Sequence, residues 1–355
     1  MRQSDELIKG RGAQINVDNR FMSQRYDNTS TEGLDEAWEP DPETLIFKEY
    51  PKKFINKVLS PDVPTEYSAN PYQGCEHGCV YCYARNTHPY WGFGAGLDFE
   101  RKIVVKMNAP ELLEKEINYS SYKVSPIMFS GNTDCYQPIE RKLEITRKCL
   151  EVFLKYKHPV SLITKNSLIL RDLDLISELA KHDLVHVNIT VTTLDVHLKN
   201  KLEPRTASPK KRIETIRKLS EAGVPVSVLA APMIPGLNFH EADQIVKEAA
   251  EAGALSAGSI LVRLNGDLKQ IFTHWVKLHF PDKAEKIMRQ ITEMRGGNLH
   301  DTKFGRRMRG TGPMAQAIHD MVKMARKKYM DGRELPPYNL TAFRKKSDGQ
   351  LNLFG

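Results

Sequence analysis

Short apolar runs recur along this chain at the interval of one supersecondary unit. Ile127-Met128-Phe129, Val160-Ser161-Leu162-Ile163, Val185 to Val191, Val226 to Ala230 and Ser259 to Val262 begin 33, 25, 41 and 33 residues apart. A strand with its crossover helix takes about 30 residues, so the spacing predicts repeated βα units and a parallel sheet. The intervening stretches agree. Leu143, Thr146, Leu150, Phe153 and Leu154 keep helical spacing, as do Leu170, Leu173, Ile176, Leu179 and Ala180. Hydrogen-bonding and charged groups gather where the runs end: Ser130 to Asp134, Thr164-Lys165-Asn166, Thr190 to Asp195, Pro232 to Asn238, and Arg263 to Gly266. In a βα barrel, complete or partial, or in an open α/β sheet, that face holds the active site. No G-x-G-x-x-G follows a strand and no Walker loop is present. Gly92-Phe93-Gly94-Ala95-Gly96 has the wrong spacing and no strand before it. Nucleotide binding by those two devices is not supported.

The 355 residues suffice for two ordinary domains or for one α/β barrel with extensions. Residues 1–60 are polar and irregular and read as an N-terminal arm or cap, with the barrel core expected over 61–270. A helical extension is expected over 271–332, and the polar, proline-containing residues 333–355 read as a disordered tail. No apolar run approaches the roughly 18 residues of a membrane span. Met1 to Glu6 leads into no apolar stretch of signal-peptide length, so a cytoplasmic protein with no membrane partner is expected. The formal charge of +8 is compatible with an anionic partner without requiring one.

Three of the five cysteines lie within eight residues, in Cys75-Glu76-His77-Gly78-Cys79-Val80-Tyr81-Cys82. Three thiolates on one tight loop suit an iron-sulfur cluster, with Gly74 and Gly78 letting the backbone wrap closely. Three protein ligands to a 4Fe-4S cluster leave one iron open to an outside ligand. The alternative is structural zinc with His77 or His88 as fourth ligand, although zinc loops usually pair two C-x-x-C knuckles and no second knuckle exists here.

The x3, x2 cysteine spacing with an aromatic before the last cysteine resembles the radical S-adenosylmethionine (SAM) superfamily. Within it the chain is similar to the spore-photoproduct-lyase-like branch, also called DNA repair photolyase-like. The matching stretches are Gly10-Arg11-Gly12-Ala13, Asn70 to Cys75, Tyr81 to Arg85, Thr133 to Glu140, Thr164-Lys165, Leu202 to Arg205 and Ala231 to Gly236. The resemblance implies a partial (β/α)6 TIM-type barrel with Cys75, Cys79 and Cys82 holding a 4Fe-4S cluster. SAM would chelate the open iron, and one electron would cleave it to methionine and a 5'-deoxyadenosyl radical that abstracts hydrogen from substrate. A zwitterionic methionine end needs a cation and hydroxyls. Thr133 and Thr190 match hydroxyl positions there and Lys165 matches a carboxylate-binding lysine. Asp134 and Arg205 join them as candidate cofactor-binding residues, Arg205 and Glu203 reading equally well as an internal ion pair.

The lyase itself returns hydrogen from a cysteine two residues before the strand-end hydroxyl, and Gly131 stands at that position here. Cys135 is the nearest substitute thiol, or a loop cysteine with no redox task. Tyr81 and Tyr83 flank Cys82 as candidate radical relays or as shields of the cluster. Cys149 reads as a packing residue of an amphipathic helix. Arg306-Arg307-Met308-Arg309 and Arg326-Lys327-Lys328 read as solvated faces before phosphate contacts. His88 to Phe93 reads as packing beneath the N-terminal arm, or as a stacking surface.

The chemistry implies an electron donor such as a flavodoxin or ferredoxin. The chain ends Gln350-Leu351-Asn352-Leu353-Phe354, which resembles the short motif by which bacterial repair and replication proteins bind the sliding clamp; Leu353 and Phe354 would fill an apolar pocket. The leading expectation is a radical SAM enzyme acting on nucleic acid. Its rivals are a radical SAM enzyme acting on a protein or small molecule, and a non-catalytic zinc-bearing nucleic-acid-binding module.

Overall fold

The computed structural model describes residues 7–17, 19–21, 44–299 and 303–346. Among the described residues seven strands form the main sheet: β2 (Asn56–Lys57), β3 (Tyr67–Ala69), β6 (Ile127–Phe129), β7 (Val160–Thr164), β8 (Val185–Thr190), β9 (Val226–Met233) and β10 (Ser256–Leu261), following β1 (Leu45–Glu49) in the chain. Their order is β10-β9-β8-β7-β6-β3-β2. Every neighbouring pair is parallel except β2 with β3. Six parallel strands thus make the expected partial barrel, and the sheet does not close on itself: β10 and β2 are its two edges. A smaller sheet, in the order β1-β5-β4, is made by β1, β4 (Tyr72–Gln73) and β5 (Lys102–Lys106).

Helices Ile145–Lys155, Leu173–Ala180, Pro209–Glu221 and Ala242–Glu251 cover the outside. Their sequences start them: Ser208 accepts a hydrogen bond from the Lys211 N–H at 3.4 Å and Pro209 takes the first helical position, where its missing N–H costs nothing. Their apolar faces meet the buried strand residues Phe129, Leu162, Val187 and Val228 in one large core. The expected helical extension contains Leu268–His279, Ala284–Glu293 and Gly312–Tyr329.

Both ends of the chain depart from the sequence reading. The boundary expected at Pro61 falls inside the sheets, because β1 and β2 precede it. Phe54 and Ile55 lie in the main core, and their N–H groups donate to the buried Glu116 carboxylate at 2.6 and 2.9 Å. Farther upstream, Arg11, Gly12 and Ala13 are buried. The tail reading is corrected for residues 333–346. Tyr338 stacks on His186 with ring centroids 4.0 Å apart, and Phe343 packs among Tyr122 and His158. Two aromatics in a polar stretch, each with a ring partner, are enough to order it. The clamp-like residues Gln350 to Phe354 lie outside the described residues.

Candidate radical SAM site

The cysteine loop leaves β4 at the C-terminal mouth of the barrel and ends in a 3-10 helix, Tyr83–Trp91. Three distant segments hold its backbone. The Cys75 N–H donates to the Phe99 carbonyl (2.9 Å), the Val80 N–H to the Leu202 carbonyl (3.0 Å) and the Arg205 N–H to the His77 carbonyl (3.2 Å). Gln137, fully buried, grips the two peptides flanking Cys75, accepting from the Glu76 N–H at 2.9 Å and donating to the Gly74 carbonyl at 3.2 Å.

Underneath, Arg85 donates to the Cys79 carbonyl through Nε (3.0 Å) and Nη2 (2.9 Å) and pairs with the buried Glu100 at 2.5 Å. Glu100 also accepts from the N–H groups of Gly12 (3.0 Å) and Ala13 (2.7 Å). The N-terminal segment is thereby strapped to the loop so closely that a Cβ on Gly12 would overlap the Gly78 carbonyl oxygen. Only glycine fits.

Burial pushes all three thiols up, and the Asp134 carboxylate and the other two cysteines raise Cys75 further. For Cys79 the Glu203 carboxylate adds to burial, against the pull of the Lys165 ammonium, which also acts on Cys82. Lys165 directly follows β7, at the same end of the sheet as Thr133 and Thr190. Lys199, whose pKa burial and the Arg212 charge bring down to about 8, stands near Cys79.

The remaining expected residues fall into two groups. Asp134 spends its carboxylate within the protein: on the His77 ring (3.3 Å), the Thr164 hydroxyl (2.8 Å) and the N–H groups of Lys165 (2.8 Å) and Tyr136 (2.9 Å). Burial opposes its ionisation, but the His77 charge and these hydrogen bonds bring its pKa to about 2. Arg205 pairs with Glu76 at 3.5 Å. Tyr81 is buried, its hydroxyl bonded to Glu203 and to Thr192 (3.2 Å). Glu203 in turn pairs with the buried Arg212.

Nearer the mouth, Thr133 is buried and donates to the Tyr72 carbonyl at 2.9 Å, leaving its oxygen lone pairs available. Thr190 is buried at the end of β8. Tyr83 is half-exposed and donates to the Gly131 carbonyl. Cys135 is fully buried in the main core, its N–H bonded to Ser130 and its carbonyl to Thr146, both at 2.7 Å. Cys149 is buried there too. Gln137, Arg85, Glu100 and Gly12 carried no assigned role in the sequence reading, and the ion pair read there between Glu203 and Arg205 is corrected to Glu203 with Arg212 and Arg205 with Glu76. Gly12, Arg85, Gln137 and Glu203 do sit inside the matched stretches, which was the available signal.

The donor set fits a cluster better than a single zinc ion. His77 is held by Asp134 and by Asn166 (3.1 Å), while His88 faces the Asp98 carbonyl (3.2 Å) between Phe93 and Phe99. Neither histidine is thus left as a fourth ligand, and among the described residues no group of three or more histidine, cysteine or carboxylate side chains is gathered closely enough to hold one metal ion.

The family model described as the radical SAM superfamily matches residues 69–249, from β3 through the helix after β9. The chain belongs to the radical SAM superfamily. It is an enzyme of the radical SAM type. An uncharacterised protein of Mycobacterium tuberculosis is 32% identical over 238 residues, covering 66% of this chain and 70% of that protein. One of Methanocaldococcus jannaschii is 30% identical over 242 residues, covering 68% and 86%. A radical SAM Nalpha-GlyT isomerase of Pseudomonas phage M6 is 27% identical over 173 residues, covering 48% of this chain and 34% of the isomerase. In fold, this radical SAM chain resembles spore photoproduct lyase. A variant of that enzyme with bound AdoMet and dinucleoside spore photoproduct superposes with a TM-score of 0.59 at 18% identity, covering 81% of this chain and 80% of the lyase. Among the described residues no helix is long and apolar enough to cross a membrane.

Proposed function

We propose that this radical SAM enzyme holds a 4Fe-4S cluster on Cys75, Cys79 and Cys82, binds SAM against Thr133, Lys165 and Thr190, and acts on nucleic acid in the cytoplasm. The observation that carries the reading is three thiols on one loop whose backbone is held by Gln137 and by the Arg205 N–H, at the strand ends that also carry Thr133, Lys165 and Thr190. When bound, cluster and SAM supply one electron and a 5'-deoxyadenosyl radical that removes a hydrogen atom from substrate.

The chain's own groups do the rest. Lys165 offers a charge-assisted hydrogen bond to a carboxylate. Thr133, its proton already committed to Tyr72, presents an acceptor to an ammonium group. Asp134 and Arg205 act one step back, fixing Lys165's backbone and Glu76. Nucleic acid is supported by the +8 charge and by the lyase's dinucleoside ligand. Thymine-dimer reversal by the lyase's own route lacks its thiol here. Gly131 has no side chain, and a Cβ there would run into Met128 Cε. The partners in this reading are a flavodoxin or ferredoxin and, through Gln350, Leu351, Leu353 and Phe354, the sliding clamp. A peptide of the last residues should bind the clamp and lose binding on Phe354→Ala.

The test of the main reading is 5'-deoxyadenosine formation by the anaerobically reconstituted, dithionite-reduced protein. Formation that requires Cys79 and rises with added DNA is expected. Iron and sulfide incorporation without 5'-deoxyadenosine would remove the radical reading, and zinc without iron would restore the binding module.

A further inference from the structure

Strand β1 is an edge of the smaller sheet, and its side chains face outward. Leu45, Ile46 and Phe47 are 48%, 45% and 39% exposed. In the parallel register Leu45, Phe47 and Glu49 lie beside Lys102, Val104 and Lys106 of β5, and alternate residues share a face. On that face Phe47 meets Phe93 with centroids 5.0 Å apart, and the Lys102 ammonium lies over the Phe93 ring at 5.1 Å. A contiguous exposed apolar patch rimmed by charge marks an interaction site.

The chain that carries the patch is rich in lysine. Residues 44–57 carry the exposed Lys48, Lys52, Lys53 and Lys57 against Glu49 alone, whose charge faces Lys106. Asp98 offsets Lys102 at 3.1 Å. Behind the patch the rings continue inward. Phe93 lies 5.2 Å from His88, His88 lies 5.4 Å from Phe99, and Phe99 packs with Cys75 and Cys82.

We propose that the face made by Leu45, Phe47 and Phe93 docks an acidic one-electron carrier protein, which delivers its electron to the cysteine loop along His88 and Phe99. The inference rests on the radical reading above. The step balances as one electron lost by the carrier and one gained by the thiolate-held cluster, with no proton moved. A small apolar centre on a lysine-rich segment suits such a partner, because electron-transfer encounters bury little area and draw on complementary charge for their rate. Through-protein transfer also weakens steeply with distance, so a docking face backed by rings that reach the thiols is favoured over one on the far side of the barrel.

The experiment has two readouts. Binding of the purified protein to a flavodoxin, followed by titration at two salt concentrations, needs no turnover. SAM cleavage is then driven either by that reduced flavodoxin or by dithionite. Phe47→Glu should weaken flavodoxin binding and flavodoxin-driven cleavage about tenfold or more while dithionite-driven cleavage is unchanged. The pair Lys48→Glu with Lys52→Glu, both exposed, should weaken both about three- to tenfold, with the loss shrinking as salt rises. Equal flavodoxin binding by wild type and both variants would overturn the proposal, as would displacement from this face by a DNA oligonucleotide but not by flavodoxin. If the wild type fails with dithionite, the radical reading fails instead, and the binding titration still judges the surface.

Discussion

Glu203 shows how a single side chain can hold the site from beneath. Its carboxylate is fully buried and accepts from Tyr81, from Thr192 at 2.7 Å and from Arg212. Arg212 reaches on to the Thr190 carbonyl at 3.0 Å, so the end of β8 and the cysteine loop share one ion pair. Removing one partner of a buried pair strands the other charge, at a cost of about 3–5 kcal/mol. Glu203→Ala should therefore lower the urea midpoint sharply, whereas Glu203→Gln, which keeps the shape and part of the hydrogen bonding, should cost about half as much. An Ala variant as stable as wild type would mean the pair is not closed in solution. Cys135 offers the contrasting case. Its thiol is enclosed by the main core, and burial followed by the Asp134 charge pushes its pKa well up. Cys135→Ala should cost about 1 kcal/mol as a small cavity and leave dithionite-driven SAM cleavage unchanged. Loss of cleavage in a folded variant would give this thiol a part in the chemistry.

At the scale of elements, the strand periods made β6 to β9 legible in the sequence, and with them the placement of Thr133, Asp134, Lys165 and Thr190 at the strand ends. Two of the supports were not legible, because they join residues 60 or more positions apart. Gln137 with Gly74 and Glu100 with Gly12 leave no local period to read. β5 and β1 were missed because five-residue strands in a small side sheet lack the βα spacing. The two ends of the chain yield predictions of their own. Gly12→Ala should displace the strap residues 11–13 from the loop, seen as faster hydrogen exchange at Val80 and Cys82 and reduced iron retention, with the barrel strands unaffected. Unchanged exchange would show that the strap is not what holds the loop. At the opposite end His158 is buried against Tyr122 (2.8 Å), Phe153 and Phe343, and burial lowers its pKa to about 4 from 6.5. A lowered histidine pKa means the unfolded chain binds the proton first. Its contribution is therefore intact above about pH 6.5 and lost as pH falls towards 4. His158→Phe should flatten that part of the stability profile, and an identical acid slope in both proteins would exclude His158 as its source.

Seen whole, the molecule is a barrel left open along one side, and residues 303–310 bridge the opening. At one edge the Leu261 N–H of β10 donates to the Met308 carbonyl at 3.3 Å, while Arg295 donates to the carbonyls of Leu261 (2.9 Å) and Arg307 (2.7 Å). At the other edge Asp62, in the loop that follows β2, accepts from the Gly305 N–H at 2.6 Å and from Arg307 Nε at 2.5 Å. The arginine-rich stretch that read as a solvated face is thus partly a crosspiece between the sheet edges. Burial of the sheet between helices gives β7 and β8 their stability, whereas the bridge depends on a few polar contacts, and local opening follows that difference. Arg307→Ala should accelerate hydrogen exchange at residues 303–310 and 58–65 together, while exchange in β7 and β8 stays at the wild-type rate. The coupled change in two segments more than 240 positions apart is the distinguishing sign, since loss of one surface contact would loosen only the strand that carries it. Asp62→Asn, which keeps an acceptor for Gly305 but not the charge, should loosen the pair less than Arg307→Ala. If the two segments respond independently, the opening of the barrel is held by each edge alone and the bridge is incidental.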